Sequence, residues 1–211
     1  MKPIVMNVKM TKARALSVTG SLGKPSKMPG FAYGLSADLC ITGAKLSLIE
    51  GTSCFDCYAK KANYRYPSVQ KAHAKRVAGL YHPSWVESMI YLIGNTNTEH
   101  FRFHDSGDLQ SLQHLINIVK VCEGLPLVKF WMPTQERAMV AKYLEAFGAF
   151  PDNLIIRVSG VKIDGESGNF PHTSTVVTKG ATCRAYENKN KCGECRACWD
   201  KAVKNVSYLK H

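Results

Sequence analysis

Seven of the eight cysteines in this 211-residue chain fall into two groups: Cys40, Cys54 and Cys57, then Cys183, Cys192, Cys195 and Cys198. Thiolates are soft ligands that suit zinc and iron–sulfur centres alike. The first group is spaced C-x13-C-x2-C, and its Cys54-Phe55-Asp56-Cys57 turn is tight enough to bring two sulfurs to one centre. Cys40 can return to the same centre across the intervening loop. Three thiolates are one short of a closed four-thiolate set. Either a fourth ligand comes from elsewhere, or one iron is left open to a small molecule. The second group, C-x8-C-x2-C-x2-C, supplies four thiolates by itself. Its last three have ferredoxin-like spacing and equally fit a zinc knuckle, so a second Fe–S cluster and zinc both stay open. One of its cysteines could also complete the first group.

The competing readings are disulfides and buried structural cysteines. The first residues, Met1 to Val8, lack the apolar core and small-residue cleavage site of a secretory signal. No apolar run approaches the roughly 18 residues of a membrane span. The expected location is therefore cytoplasmic, where disulfides are rare and clustered cysteines serve metals or redox chemistry. At 211 residues and 45% hydrophobic, the chain can build a core without covalent staples. Cys122 stands alone on an apolar helical stripe and is expected in that core.

The net charge of +12 is unevenly placed. Residues 1–37 contain no Asp or Glu but carry Lys2, Lys9, Lys12, Arg14, Lys24 and Lys27. Residues 58–82 are also free of acids, with Lys60, Lys61, Arg65, Lys71, Lys75 and Arg76. Such a surface attracts nucleic acid, nucleotides or an acidic partner.

The elements that must position these groups follow from periodicity. Residues 1–37, rich in Gly, Pro, Ser and Lys, are expected to wrap the domain, with Ser21 to Gly34 irregular and one strand at Ile4–Val8 or Ala15–Val18. Helices are expected over Ser68–Leu80 and Pro83–Ile93, the latter with Ser84 as N-cap. Then strand and helix alternate. Phe101–His104 is a strand, Leu112 to Cys122 a helix, Leu127–Met132 a strand, Met139 to Phe147 a helix, and Leu154–Val158 a strand, with a further strand at Ser174–Thr178. This rhythm predicts right-handed βα units on a mainly parallel sheet. A full eight-unit barrel needs about 250 residues, so a partial or reduced TIM-like (βα) barrel is expected over residues 1–180. Residues 181–211 are expected as a cysteine-rich, basic C-terminal extension that binds metal.

Chemistry on such folds sits at the C-terminal ends of the strands. There the sequence places His104, Asp105 and Asp108, then Gln135, Glu136 and Arg137, then Ser159-Gly160. His104, Asp105 and Asp108 are the candidates for catalysis, as ligand anchors or proton carriers. Asp108 or Ser111 equally fits a helix cap, and Glu136 fits a helix dipole. Trp131 and Met132 read as core or pocket wall.

Several stretches resemble a bacteriophage-encoded family known as gene product 88. They are Met28 to Tyr33, Cys40 to Leu46, Gly51 to Ala59, Arg102 to Asp108 and Cys192 to Trp199. The resemblance implies a phage protein of the host cytoplasm and brings no assigned reaction. The cysteine loop also resembles that of radical S-adenosylmethionine (SAM) enzymes, in which C-x3-C-Φ-x-C on a βα barrel holds a [4Fe-4S] cluster with SAM on the open iron. Cys54-Phe55-Asp56-Cys57 matches the second half of that pattern. Cys40 departs from it, because thirteen residues follow before Cys54. No Gly-Gly-Glu-Pro stretch follows the second strand, where Gly107-Asp108 is the available stand-in. The expected protein is thus a [4Fe-4S] protein, with an electron donor or a host protein as partner. The alternatives are a zinc-stabilised protein that binds nucleic acid, and a phage modulator of a host protein in which the metal is purely structural.

Overall fold

The alternation of strand and helix resolves into one parallel sheet. The computed structural model describes residues 9–210. Its helices are α1 (Lys12–Thr19), α2 (Ile41–Leu46), α3 (Pro67–Gly79), α4 (Trp85–Gly94), α5 (Leu112–Glu123) and α6 (Arg137–Phe147). Its strands are β1 (Phe31–Tyr33), β2 (His100–Phe103), β3 (Lys129–Thr134), β4 (Leu154–Ser159), β5 (Thr173–Val177) and β6 (Asn205–Leu209). The strands lie side by side in chain order, every neighbouring pair is parallel, and the sheet is open with β1 and β6 at its edges. None of the helices among the described residues is long and apolar enough to cross a membrane.

Alternation along the strands gives the sheet two different faces. Tyr33, Phe101, Phe103, Phe130, Met132, Leu154, Ile156 and Val158 point into the main core, against Trp85 and Met89 of α4, Leu115 and Val119 of α5 and Val140 of α6. Cys122 is buried in the same core, as its helical stripe requires. On the opposite face, Trp131 packs with Met28 and Trp199, and Cys192, Cys198 and Tyr208 lie against them. The cysteine-rich end of the chain therefore covers the side of the sheet that the core helices leave.

Local signals explain most elements. Pro67 starts α3 at a position where its missing N–H is no loss. Ser111, rather than Asp108, caps α5 by accepting from the His114 amide at 3.1 Å. Three expectations are corrected. Ala15–Val18 is not a strand but part of α1, which Thr11 caps by accepting from Arg14 N. Ala15, Val18 and Thr19 are buried there at helical spacing, so packing against α3 and α4 decides the period. The Ile4–Val8 alternative lies outside the described residues. Ser21–Gly34 is not wholly irregular, since Phe31–Tyr33 is edge strand β1, held between β2 and an antiparallel bridge from Gly23 to Ala32. The strand expected over Leu127–Met132 does not end at Met132, since β3 runs on through Pro133 to Thr134.

The stretch expected as a separate extension returns to the sheet as β6, paired with β5 from Thr173↔Asn205 to Val177↔Leu209. Arg157 of β4, fully buried, ties this return in place. Its guanidinium donates to the carbonyls of Ala197 (2.9 Å), Asp200 (3.1 Å), and Thr173, Cys198 and Lys204 (3.2 Å each). A buried charge is tolerable only when its donors are met, and here five carbonyls meet them. Arg157→Met should therefore cost about 3 kcal/mol or more in denaturant unfolding. Hydrogen exchange should show lost protection concentrated in residues 197–209, with the amides of α5 and β3 still protected.

Candidate functional site

The first cysteine loop is fixed over the C-terminal ends of three strands. Ser53 N donates to Val161 O (2.8 Å), Ser53 Oγ to Gly160 O (3.0 Å), and Gln135 Nε2 to Ser53 Oγ (2.9 Å). Thr52 bridges to Lys162. Tyr58 OH donates to the carbonyl of Asp105 at 2.7 Å. The ends of β2, β3 and β4 each hold one part of the loop. The short helix α2 begins inside the loop, directly after Cys40, and no side chain of its own N-cap residue closes it. Glu136 does this from the end of β3, accepting from Thr42 N (2.7 Å) and Thr42 Oγ1 (2.8 Å). The acid expected to serve the dipole of its own helix serves that of α2 instead.

The three thiols of this loop are electrostatic neighbours. Burial pushes the Cys40 thiol well up, and Asp108, Cys57, Cys54 and Glu136 push it further. Cys54 is pushed up to about 11 by burial and then by Cys57. Gly43 lies against two of them: a Cβ at that position would be 3.6 Å from Cys54 Sγ and 3.7 Å from Cys40 Sγ, with its tight contact, 3.1 Å, to Cys40 Cβ. All eight cysteines are free thiols. In the second group, burial raises Cys192, followed by Cys183 and Cys195. Cys198 is pushed up to about 11 by burial, with Tyr208 OH 3.3 Å from its sulfur. Within each group the thiols act on one another's charge, while among the described residues no three Cys, His, Asp or Glu converge as around a single ion. The charged groups that raise Cys40 are all acids or thiols, so ionising it there without a cation is unfavourable. A bound metal reverses that balance, because its positive charge stabilises thiolates.

The three candidates at the end of β2 lie in different surroundings. Asp108 is buried and accepts from Thr134 Oγ1 (2.6 Å), Leu109 N (2.8 Å) and Gln135 N (2.8 Å), which ties the end of β2 to that of β3. Burial pushes it up to about 7 against the pull of those bonds. It is also the candidate whose charge reaches Cys40 and Cys54. Asp105 is half-buried, and its Oδ1 is buried without a hydrogen-bond partner. His104 leaves the strand with φ +61, is buried, and has no partner on either ring nitrogen. Its ring stands edge-on to His114 at 5.3 Å.

Two residues on the cysteine-rich side were read from the sequence only as strand positions. Arg102 stacks on Trp131 at 4.4 Å and donates to Tyr58 OH at 3.4 Å, and its charge acts on Cys198 and Tyr208. Arg157 is the other. The available signal was the alternation itself: an Arg between Phe101 and Phe103, or between Ile156 and Val158, must face away from the core.

Residues 6–184 match the model of the gene product 88 family, and the chain belongs to that family of phage gene products. The matched span contains Cys40, Cys54, Cys57 and Cys183. No curated protein and no solved structure matches the chain.

The buried histidines make stability depend on pH. Burial lowers His114 from 6.5 to about 4 and holds His104 well below its ordinary value, with His114 and Arg102 acting in the same direction. Each folded-state value lies below the unfolded one, so the unfolded chain binds protons first as pH falls. The histidines' contribution to stability is therefore fully present above pH 6.5 and is lost as pH falls towards about 4, with His114 accounting for about 3 kcal/mol, while Asp108, raised to about 7, adds stability over the same fall. In urea titrations across that window, His114→Gln should remove about this amount of destabilisation by acid.

Proposed function

We propose that this member of the gene product 88 family is an iron–sulfur protein, with a [4Fe-4S] cluster on Cys40, Cys54 and Cys57 at the mouth of a partial (βα) barrel. Cys183, Cys192, Cys195 and Cys198 hold a second metal, as an Fe–S cluster or zinc, or lend the fourth thiolate to the first cluster. The observation that carries this reading is that Cys40, Cys54 and Cys57 lie near enough in one desolvated loop for their charges to act on one another, with the sulfurs of Cys40 and Cys54 both against Gly43. A bound cation would offset that crowding of negative charge. A cluster suits the first loop better than one zinc ion does. Zinc draws four sulfurs to about 2.3 Å from one point, whereas the thiolates of a cluster bind different irons and stand wider apart. The barrel reading rests on six parallel strands in unbroken chain order, the winding of a βα barrel with fewer units.

When bound, the cluster would supply one-electron redox chemistry. The chain's own residues set its surroundings. Arg102 brings a positive charge between Tyr58 of the first loop and Tyr208 beside Cys198, and positive charge near a cluster raises its reduction potential. Asp105 keeps a buried carboxylate oxygen without a hydrogen-bond partner at the same strand end, packed against Gly34. Asp108, the stand-in for an amine-binding acid, gives its carboxylate to Leu109, Thr134 and Gln135, which weighs against SAM on the open iron.

Anaerobic purification with iron, sulfide and zinc analysis tests the proposal. The expected protein is brown, absorbs broadly near the blue end of the visible range, contains iron and sulfide in equal amounts, and gives a cluster signal in electron paramagnetic resonance after reduction. Cys54→Ser and Cys57→Ser should each abolish that signal. Cys122→Ser, a core substitution, should keep it. A colourless protein with stoichiometric zinc would overturn the reading.

A further inference from the structure

The two acid-free stretches, 1–37 and 58–82, are separate in sequence, and they meet where α1 of the first packs on α3 of the second. Helix α1 packs on α3 through two glycines. A Cβ at Gly79 would come within 1.8 Å of Val18 O, so only glycine permits this approach. A Cβ at Gly20 would lie 3.6 Å from Cγ of Lys75. Lys12 is exposed at the start of α1, Arg65 in the turn before α3, and Lys71 and Lys75 one helical turn apart on α3.

These cations are not used by the fold. Arg76 is, since it turns inward, donates to Ser21 O (3.0 Å) and Gly34 O (2.8 Å), and lies over the Tyr33 ring. Among the described residues the ion pairs are Lys61–Asp56, Arg184–Glu187 and Lys201–Asp152. Lys12, Arg65, Lys71 and Lys75 therefore have no carboxylate partner there. Like charges at i and i+4, as at Lys71 and Lys75, work against a helix and call for a partner outside it.

Aromatic rings alternate with cations in the sequence run that leads into α3. In the run Tyr58-Ala-Lys-Lys-Ala-Asn-Tyr64-Arg-Tyr66, Tyr64 is half-buried and stacks on His73. Tyr66, at the head of α3, is 58% exposed, and Tyr58 is 46% exposed although its hydroxyl is bonded to Asp105 O. An acidic protein surface would need the cations alone. Unpaired bases need both, phosphates on the cations and base faces on the rings. A duplex keeps its base faces stacked inside and cannot use the rings.

We propose that the face formed by the 58–66 turn, α3 and α1 binds single-stranded nucleic acid. Arg65, Lys71 and Lys75 contact phosphates, Lys12 extends the path onto α1, and a base stacks on Tyr66. This proposal does not depend on a metal at the cysteines.

Fluorescence anisotropy with a labelled single-stranded oligonucleotide, titrated with the full chain at several salt concentrations, tests it. Log affinity should fall linearly with log salt. Lys71→Glu/Lys75→Glu should flatten that slope by about 1.4, from two lost contacts of about 0.7 each. Lys120→Glu/Lys142→Glu, with the same charge change on exposed positions of α5 and α6, should leave the slope unchanged. Tyr66→Ala, at an exposed ring, should weaken binding about tenfold with the slope unchanged. Absence of binding at low salt would overturn the proposal, as would equal loss in the two charge variants. So would poly-glutamate or duplex DNA competing as well as the single strand, since the face would then be reading charge alone.

Discussion

A sheet of six parallel strands laid down in chain order has one face that its crossovers do not cover. Right-handed connections bring helices repeatedly to the same side, and parallel sheets are found with both sides covered. In a full barrel the inner faces cover one another. With six strands and open edges, this chain must bring other material to the second face. It uses its own C-terminal segment. Trp199 Nε1 donates to Phe101 O at 3.0 Å, and its ring stands edge-on to Trp131 and His100. Arg157 holds the carbonyls on either side of that tryptophan. The second cysteine group lies within this cover, so its position follows from the need to close the sheet.

The same sheet positions the first cysteine group by a different means. Strand ends leave backbone and side-chain polar groups at one rim, and the loop satisfies them one strand at a time, through Tyr58 at β2, Thr42 at β3 and Ser53 at β4. One cysteine group is therefore at the rim, and the other is on the face below. Arg102, standing on that face from β2, is within reach of both, with Tyr58 on one side and Tyr208 on the other. This cation acts on the charge of Cys198 and is hydrogen-bonded to Tyr58 of the loop that carries the other group.

Much of the fold was legible because it is periodic. From Phe101 onward the alternation of strand and helix gives the elements to within a few residues, and Cys122 falls in the core as its stripe requires. Elements too short to show a period were not legible. β1 has three residues, and α2 has six inside a loop defined by its cysteines. β6, Asn-Val-Ser-Tyr-Leu, alternates well enough but sits in a basic tail whose cysteines dominate the reading. Long-range partners were not legible either. Nothing local to Glu136 points to Thr42, 94 residues earlier, and nothing local to Arg157 points to carbonyls some forty residues later. At the site, residue type was readable and partnership was not. Asp108 reads as a ligand or a cap; Ser111 takes the cap, and the carboxylate of Asp108 clamps two strand ends, a partnership with no local signal.

The segment from Cys54 to Tyr66 joins the two surfaces on which function is argued. Cys54 and Cys57 turn towards Cys40 and Asp108, and one residue later Tyr58 shows its ring to solvent while its hydroxyl holds Asp105 O. Asp56 and Lys61 pair across the same turn, which stiffens the link between the thiols and the basic run that follows. A partner seated on Tyr66 and Arg65 therefore rests on the chain that carries the thiols. It also meets the ring whose hydroxyl accepts from Arg102.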